Sequence, residues 1–463
     1  MNGEVDVLVV GSGAGGGACA WALAQAGVRV LVLEAGPEYI PERDYRLAHP
    51  DWESPFPHKV TTAGRQSFAP MQRLEERHDD LRSRNHLTGR YNPGSHRVAW
   101  GYHHVVGLGG STLHYTGEAH RLHPEAMRMR SRFGVAADWP VTYGELEPFY
   151  LEAERVVGVA GPSADHHRPR SAPYPLPPHQ PSFASQRLGQ GFGKIGCSWT
   201  PNPLAALTRP YDGRPACNFC GGCLRGCSHR DKGSVDLTFL AKARGSGRCE
   251  IRTGQQVVAL EAGTGDRVRG VRVVDGAGRE QFVPARVVVV ACGAIETPRL
   301  LLNSIGPGGE SGLGNESGAL GRHLTETLTW VSTGLHPDNL GSHRGHPVDS
   351  ICWDFNRPDA VKGLPGGCRF GPSTAESDLV GPINHARRMV GGWGRQHVKK
   401  MRETFGHALS VAGIGESLPN DGTFVDLDPV RNDAFGRPLA RIHSRVDPVD
   451  IERLGFMLSL IHI

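Results

Sequence analysis

The chain has 463 residues, of which 38% are hydrophobic, and a formal net charge of +4. This length predicts two domains, and so small a net charge argues against a nucleic-acid partner. No apolar run is long enough to span a bilayer, and the first strand begins by Val5, too early for a preceding signal peptide. We expect a cytoplasmic protein; export to the periplasm alongside a partner with its own signal stays open.

The N-terminal segment is the most informative part of the sequence. An apolar strand over residues 5–10 is followed by a G-x-G-x-x-G turn over 11–16, a helix, and a second apolar strand that ends on Glu34. Such glycines allow a tight turn, a close approach of the backbone to a pyrophosphate and close helix packing, and the acid accepts hydrogen bonds from a ribose. The helix N-terminus favours the phosphate anion. This pattern predicts a dinucleotide site; the alternative is a glycine-rich loop without a ligand. The predicted contacts are Gly11, Gly13, Ala14, Gly15, Gly16, Glu34 and Ala35.

After the N-terminal unit, the sequence indicates long loops, and further strands follow in the second half of the chain. Residues 37–100 have little periodicity and predict long surface loops, whereas 143–157 predicts a helix. The continuous apolar run over 287–291 predicts a strand covered on both faces. From about residue 327 the pattern changes to short strands and turns, which indicates a second domain.

Four of the 10 cysteines lie close together in a glycine-rich loop. Their spacing, C-x2-C-x2-C-x3-C, is that of the cysteines that hold a cubane iron–sulfur cluster in bacterial ferredoxins. Three interpretations stay open: an iron–sulfur cluster, a zinc site or disulfides, and free buried thiols. The four candidate ligands are Cys217, Cys220, Cys223 and Cys227. The other six are expected to be small core residues: Cys19, Cys197, Cys249, Cys292, Cys352 and Cys368.

Six short segments are spread over nearly the whole chain: Glu34–Gly36, Val106–His114, Asp138–Val141, Val288–Leu301, Gly321–Leu324 and Asp433–Pro438. Each is common alone, but together they resemble the glucose–methanol–choline (GMC) family of flavoprotein oxidoreductases. The resemblance implies an α/β fold, with a Rossmann-like FAD-binding domain over residues 1–326 that carries a cysteine-rich loop near 213–232. It also implies a second, α+β substrate-binding domain over residues 327–457, built on a mostly antiparallel sheet.

The implied cofactor is FAD in extended form. The sequence itself favours FAD over NAD, because residues 35–37 leave the sheet at once and a second strand-to-glycine element follows far downstream at 290–293. In some relatives a histidine at the spacing of His114 bonds covalently to the flavin; a packed histidine is the alternative. The further contacts implied by the resemblance are Gly107, Gly109, Gly110 and Ser111 near the flavin ring, Val257 or Val258 at the adenine, and Ala291 and Gly293.

The implied activity is oxidation of a CH–OH group in a sugar, polyol or alcohol. A histidine base takes the hydroxyl proton while hydride passes to flavin N5, and the reduced flavin then passes electrons to oxygen, a quinone or a cytochrome. Two other functions stay open. One is an iron–sulfur electron-transfer subunit without its own alcohol oxidation, and the other is a nicotinamide-dependent dehydrogenase.

The end of the sequence departs from the family pattern. Relatives place their catalytic histidine in a C-terminal segment, and nothing after Phe435 resembles that segment. The last six residues, 458–463, match a translation of a transposon end used in preparing sequencing libraries. We therefore expect 458–463 to be a non-native tail, His462 not to be the catalytic histidine, and the chain as written to lack turnover. A natural hydrophobic C-terminus is the alternative.

Overall fold

A computed structural model describes residues 5–45, 66–69, 104–265, 267–306, 312–373 and 381–462. The strands are β1 Val5–Val10, β2 Val30–Leu33, β3 Gln66–Phe68, β4 Thr200–Pro201, β5 Cys249–Arg252, β6 Gln255–Ala262, β7 Val268–Asp275, β8 Glu280–Val290, β9 Leu328–Leu335, β10 Ser350–Ile351, β11 Cys368–Pro372, β12 Ala408–Gly415, β13 Phe424–Asn432 and β14 Pro438–His443. The α-helices are α1 Ala14–Gln25, α2 Pro41–Asp44, α3 Met129–Phe133, α4 Tyr143–Val157, α5 Phe183–Lys194, α6 Phe239–Gly245, α7 Gly293–Leu302, α8 Pro382–His385, α9 Gly394–Thr404 and α10 Pro448–His462. Short 3₁₀ turns cover Gly110–Leu113 and Pro124–Met127, and a π-helical turn covers Ala386–Val390.

The main sheet has the strand order β5-β2-β1-β8-β7-β6. The pairs β5–β2, β2–β1 and β1–β8 are parallel, and β7 runs antiparallel to both β8 and β6. The apolar side chains of β1 and β2 alternate between two buried clusters, one packed against α1 and α6 and the other against α7. The central strands are therefore covered on both faces, as in a Rossmann-like layer.

The strand predicted over residues 287–291 exists as the end of β8. The prediction that it is covered on both faces is wrong at Val287, whose side chain is 52% exposed. Further along β8, Val289 and Val290 border a large cavity, which leaves them only partly buried. A continuous apolar run therefore overstates burial where a strand forms the wall of a cavity.

A second group of elements is mostly antiparallel. Strands β11, β12 and β9 form one sheet, and β13 and β14 form a hairpin that β3 joins in parallel. Helix α10 packs on β12 and β9. Two elements from before residue 327 also join this group, because β4 pairs with β10 and α5 contributes to the same buried cluster as β11. In the parts of the chain that the structure describes, no helix is long and apolar enough to cross a membrane.

Residues 458–462, which the sequence analysis assigned to a non-native tail, continue α10. Leu460 and Ile461 pack against the cluster that contains Phe370 and Met457. The His462 imidazole lies 3.4 Å from the hydroxyl of Ser332 on β9. These residues therefore lie against the β9–β12 layer.

A buried ion pair holds α10 in place. The Arg453 guanidinium, 1% exposed, donates to the Asp450 carboxylate at 2.6 Å and to the carbonyl oxygens of Glu416 and Pro365. Asp450 also accepts a hydrogen bond from the Leu418 amide at 3.2 Å. The pair thus joins α10 to the loop that follows β12.

Replacing Asp450→Asn removes the negative charge and leaves the Arg453 cation buried without its partner. We expect the free energy of unfolding to fall by about 3 kcal/mol, the usual cost of breaking a buried pair from one side. Denaturant unfolding followed by circular dichroism measures the change. Glu452→Gln, an exposed change on the same helix, is the control and should have almost no effect. Equal stability of the two variants would contradict the role given to the pair.

Candidate functional site

A cavity of about 1090 Å³ lies at the carboxyl ends of β1, β2 and β8. Its walls include the N-terminal turns of α1 and α7, the start of β6, the loop over 104–112 and the turn of the β13–β14 hairpin. Ligands of open α/β sheets bind outside the carboxyl ends of parallel strands. The volume slightly exceeds the roughly 300–1,000 Å³ of ordinary ligand pockets, so this cavity suits a long ligand.

The glycine turn after β1 has two kinds of glycine. Gly11 has φ +92°, and a Cβ atom there would lie 2.7 Å from the Ala291 carbonyl oxygen. A Cβ atom on Gly16 would lie 2.0 Å from the Gly11 carbonyl oxygen. Gly13 and Gly15, in contrast, have no atom within 4 Å of a built Cβ. Close packing therefore requires glycine at positions 11 and 16, whereas Gly13 and Gly15 leave space for a ligand at the helix N-terminus.

Glu34 is held at the end of β2 by the chain itself. Its carboxylate, 7% exposed, accepts hydrogen bonds from the Ser12 amide at 3.1 Å, the Ser12 hydroxyl at 2.6 Å and the Gly36 amide at 2.8 Å. Burial raises the pKa of Glu34, and these hydrogen bonds oppose that rise. The Ser12 oxygen also accepts from the Gly109 amide at 3.1 Å. Ser12, which the sequence analysis missed, therefore links Glu34 to the loop over 104–112.

The loop over 104–112 lies across the N-terminus of α1. Gly109 and Gly110 have φ +103° and +56°, and a Cβ atom on Gly110 would lie 2.9 Å from the Gly13 Cα. The Thr112 hydroxyl donates to the Gly109 carbonyl at 2.6 Å and accepts from the Val235 amide at 3.1 Å. These contacts fix the loop against the glycine turn, so both face one cavity.

The structure brings most of the predicted contacts to this cavity. Four of them are not wall residues: Gly16, Gly107, Gly109 and His114. His114 directly follows the 3₁₀ turn and is partly buried, and its covalent bond to a flavin stays a prediction. The predicted residues that line the cavity are Gly11, Gly13, Ala14, Gly15, Glu34, Ala35, Gly110, Ser111, Val257, Val258, Ala291 and Gly293.

A charged cluster closes the cavity on the side of the β13–β14 hairpin. The Arg299 guanidinium, 7% exposed, donates to Asp433 at 2.6 Å, to Glu296 at 3.0 Å and to the Pro438 carbonyl at 2.8 Å. It thereby joins α7 to the hairpin turn. Nearby, burial raises the pKa of the Cys292 thiol to about 12, so this wall residue is a neutral thiol. The sequence motifs contain these residues, but nothing in the sequence pairs them.

The four clustered cysteines surround one small pocket, together with His346. Cys220 is exposed and Cys227 is buried. The pocket has about 10 Å³ of free space, room for about one water molecule. Within the described ranges, no three thiols of this loop lie within 4.8 Å of one another, and no disulfide joins them. The loop therefore gathers the donors that a cluster needs, but the pocket between them lacks the space for one.

Lys232 links the cysteine loop to the segment around Leu113 and Tyr115, which follows the loop over 104–112. Its ammonium group, fully buried, donates to the carbonyl oxygens of Leu113 at 3.0 Å, Tyr115 at 2.8 Å and Cys223 at 2.7 Å. Burial lowers the pKa of Lys232. Because Leu113 ends the 3₁₀ turn beside the cavity, the cysteine loop packs directly behind the loop over 104–112.

The last two histidines of the chain, His443 and His462, do not line the cavity. His443 lies 3.1 Å from the Asp426 carboxylate and stacks on Phe424, and His462 lies against β9. Among the wall residues that the structure describes, His104 is the one histidine.

Comparisons with known proteins agree with this architecture. The family model "GMC oxidoreductase" matches residues 178–329, and a model of NAD(P)-binding Rossmann-like domains matches residues 9–39. The chain is 30% identical to 2-methyl-1,2-propanediol dehydrogenase of Mycolicibacterium austroafricanum, over 99% of this chain and 80% of that protein. It is 29% identical to the fructose dehydrogenase large subunit of Gluconobacter japonicus, over 94% of this chain and 78% of that subunit.

Solved structures show the same fold at low identity. Pyridoxine 4-oxidase from Mesorbium loti superposes with a TM-score of 0.57 at 19% identity, covering 99% of this chain and 81% of that one. Formate oxidase from Aspergillus oryzae gives 0.59 at 16% identity, covering 99% and 81%. The identity and coverage shared with the propanediol dehydrogenase, together with the family-model match, show that the chain belongs to the GMC oxidoreductases, FAD-dependent enzymes that act on CH–OH groups.

Proposed function

We propose that the large cavity binds FAD in extended form and that the protein uses it to oxidise a hydroxyl group of a sugar, polyol or alcohol. The observation that carries this proposal is the meeting, in one cavity, of two helix N-termini and the Glu34 carboxylate. Two dehydrogenases that are similar to this chain in sequence carry the names of a diol and a sugar, which supports a small polyhydroxylated substrate. Oxygen, a quinone or a cytochrome is the proposed acceptor, and a cytoplasmic location stays a prediction.

Each wall element has a proposed task. The free amide groups at Gly13 to Gly15 donate to the pyrophosphate, because a helix N-terminus favours an anion and no side chain occupies that space. Glu34 accepts a hydrogen bond from a ribose hydroxyl, since its three hydrogen bonds from Ser12 and Gly36 leave lone-pair capacity on the carboxylate. Val257 and Val258 supply an apolar edge for the adenine.

Bound FAD would supply the acceptor for hydride from the substrate carbon. The chain supplies positioning and shielding from water. The loop over 104–112 is fixed by Ser12 and Thr112, and Arg299 holds the hairpin turn at Asp433 against α7. The α7 N-terminus adds a second positive dipole end to the cavity, which favours negative charge in its neighbourhood.

Gly13→Val tests the cofactor site. The added side chain would enter open cavity space rather than protein, so we expect a folded chain that loses most of its FAD. Gly191→Val adds the same atoms on an exposed turn of α5 and is the matched control. Flavin released from each purified protein is measured by chromatography, and circular dichroism reports the fold. Full FAD content in the folded Gly13→Val protein would refute the assignment.

Single-turnover reduction tests the reaction. The FAD-loaded protein is mixed without oxygen with fructose, gluconate or a short diol, and the visible band of oxidised flavin is followed. We expect it to bleach with at least one of these substrates, with a slower rate when the hydroxyl-bearing carbon is deuterated. A bleaching rate about 10²–10⁴-fold below that of a relative with a histidine base would indicate that no such base acts in this chain. Bleaching by NADH alone would favour the nicotinamide alternative.

Electron transfer through an iron–sulfur cluster is the second candidate function. The spacing and the shared pocket of the four cysteines favour it. The four thiols are donors that suit such a cluster, whereas the free space of about 10 Å³ among them is less than a cluster occupies. Protein purified without oxygen should contain iron and acid-labile sulfide, and Cys220→Ser should lower both. Cys19→Ser, a change on α1 outside the loop, is the control. Absence of iron from the wild-type protein would exclude the cluster.

A further inference from the structure

A second group of side chains that can bind a metal lies outside the cysteine loop. The ligand atoms of Cys197, Cys352 and Asp354 all lie within 4.8 Å of one another. They form the only such group of three or more His, Cys, Asp or Glu side chains in the described ranges. None of them lines the large cavity or the cysteine pocket, so neither proposed function accounts for them.

Backbone contacts hold the three side chains together. The short antiparallel pair β4–β10 places Thr200 opposite Ile351, which brings the segment after α5 beside residues 352–354. The Cys197 amide donates to the Phe192 carbonyl at 2.9 Å, which caps α5. The Cys352 amide donates to the Phe370 carbonyl at 2.8 Å. The positions of both thiols are therefore set by main-chain hydrogen bonds rather than by a bond between the sulfurs.

The Asp354 carboxylate is oriented by Ser198, the residue that follows Cys197. The Ser198 amide donates to one Asp354 oxygen at 2.6 Å, and the Ser198 hydroxyl donates to the other. Each oxygen therefore keeps lone-pair capacity for a further bond. Hydrogen bonds that orient a metal ligand are typical of metal sites. Loss of such a hydrogen-bond partner commonly lowers the metal affinity by roughly 10–100-fold.

Burial differs among the ligands in a way that suits a bound ion. Cys352 is 0% exposed, whereas Cys197 and Asp354 are only partly buried. Phe192 and Cys352 belong to one buried cluster, and Cys197 and Trp199 pack against it; the rings of Phe192 and Trp199 lie 4.7 Å apart. The group thus has an apolar back and a face that solvent, and an ion, can reach.

We propose that Cys197, Cys352 and Asp354 bind Zn²⁺, with water as the fourth ligand. Two sulfurs and one carboxylate oxygen are ligands that Zn²⁺ accepts in four-coordinate sites. Binding forms two metal–sulfur bonds and releases the two thiol protons to water. The bound ion cross-links the segment after α5 to the chain that follows β10, and so stabilises the layer built on β4 and β10.

Zinc analysis of purified variants tests this site. After equilibration with zinc and desalting, the wild-type protein should retain one zinc ion that Cys197→Ser loses and Cys220→Ser keeps. Cys368→Ser is the control for a nearby thiol, because Cys368 belongs to the same buried cluster but not to the group of three. Asp354→Asn, which preserves shape, should weaken zinc binding at least tenfold. If Cys197→Ser retains as much zinc as the wild type, the site is refuted.

Two further readouts keep the test independent of folding defects and of catalysis. Zinc should raise the melting temperature of the wild-type protein and not that of Asp354→Asn. Cobalt should give the intense visible absorption of a tetrahedral thiolate site, and Cys197→Ser should lose that part of the spectrum. Loss of two hydrogens from the intact mass, with a Cys197–Cys352 cross-linked peptide and no zinc, would show a disulfide instead and overturn the proposal.

Discussion

The parallel pairing of β1 with β8 is the constraint on which the rest of the site depends. Residues 5–10 lie beside residues 285–290, which are far apart in the chain. Each strand leads through a short turn into a helix, α1 or α7, that begins at or directly after a glycine. Because parallel strands end at the same edge of a sheet, this one pairing brings two helix N-termini to one cavity. No local interaction could achieve that.

Close packing between the two glycine turns follows from this pairing. Gly11 lies against the Ala291 backbone, and Gly16 packs onto the carbonyl of Gly11 with the Ala291 side chain nearby. Side chains at these positions would push β8 away from β1. The same turn supplies Ser12, which anchors both Glu34 and the loop over 104–112. The glycine turn is thus the point where three separate segments of the wall are fixed relative to one another.

Local sequence patterns predicted the N-terminal unit well. The alternation of strand, G-x-G-x-x-G turn, helix and strand depends on near-neighbour chemistry, and the structure has these elements in that order. The predicted contacts at Gly110, Val257 and Gly293 depended on the family resemblance, since only tertiary folding brings these residues to the same cavity. The burial expected at Val287 was wrong because hydrophobicity does not show which side of a strand faces open space.

Other features could not be found in the sequence because they depend on distances between remote residues. The pairing of Arg299 with Asp433 and the contacts of Lys232 join segments that have no pattern in common. Cys197 and Cys352 were expected to be ordinary core residues, and only the β4–β10 pairing brings Cys197 to Cys352 and Asp354. In contrast, the spacing of the cysteine loop indicated that its thiols could lie together, since they are close along the chain, and the four cysteines do line one pocket.

We propose that the two helix N-termini and Glu34 hold one extended FAD molecule. The most direct test is a crystal structure of the FAD-loaded protein. Our account predicts a pyrophosphate oxygen within hydrogen-bond distance of the backbone amides at the start of α1, and a ribose hydroxyl on the Glu34 carboxylate. A cofactor bound elsewhere, or one whose pyrophosphate does not contact the α1 N-terminus, would contradict it.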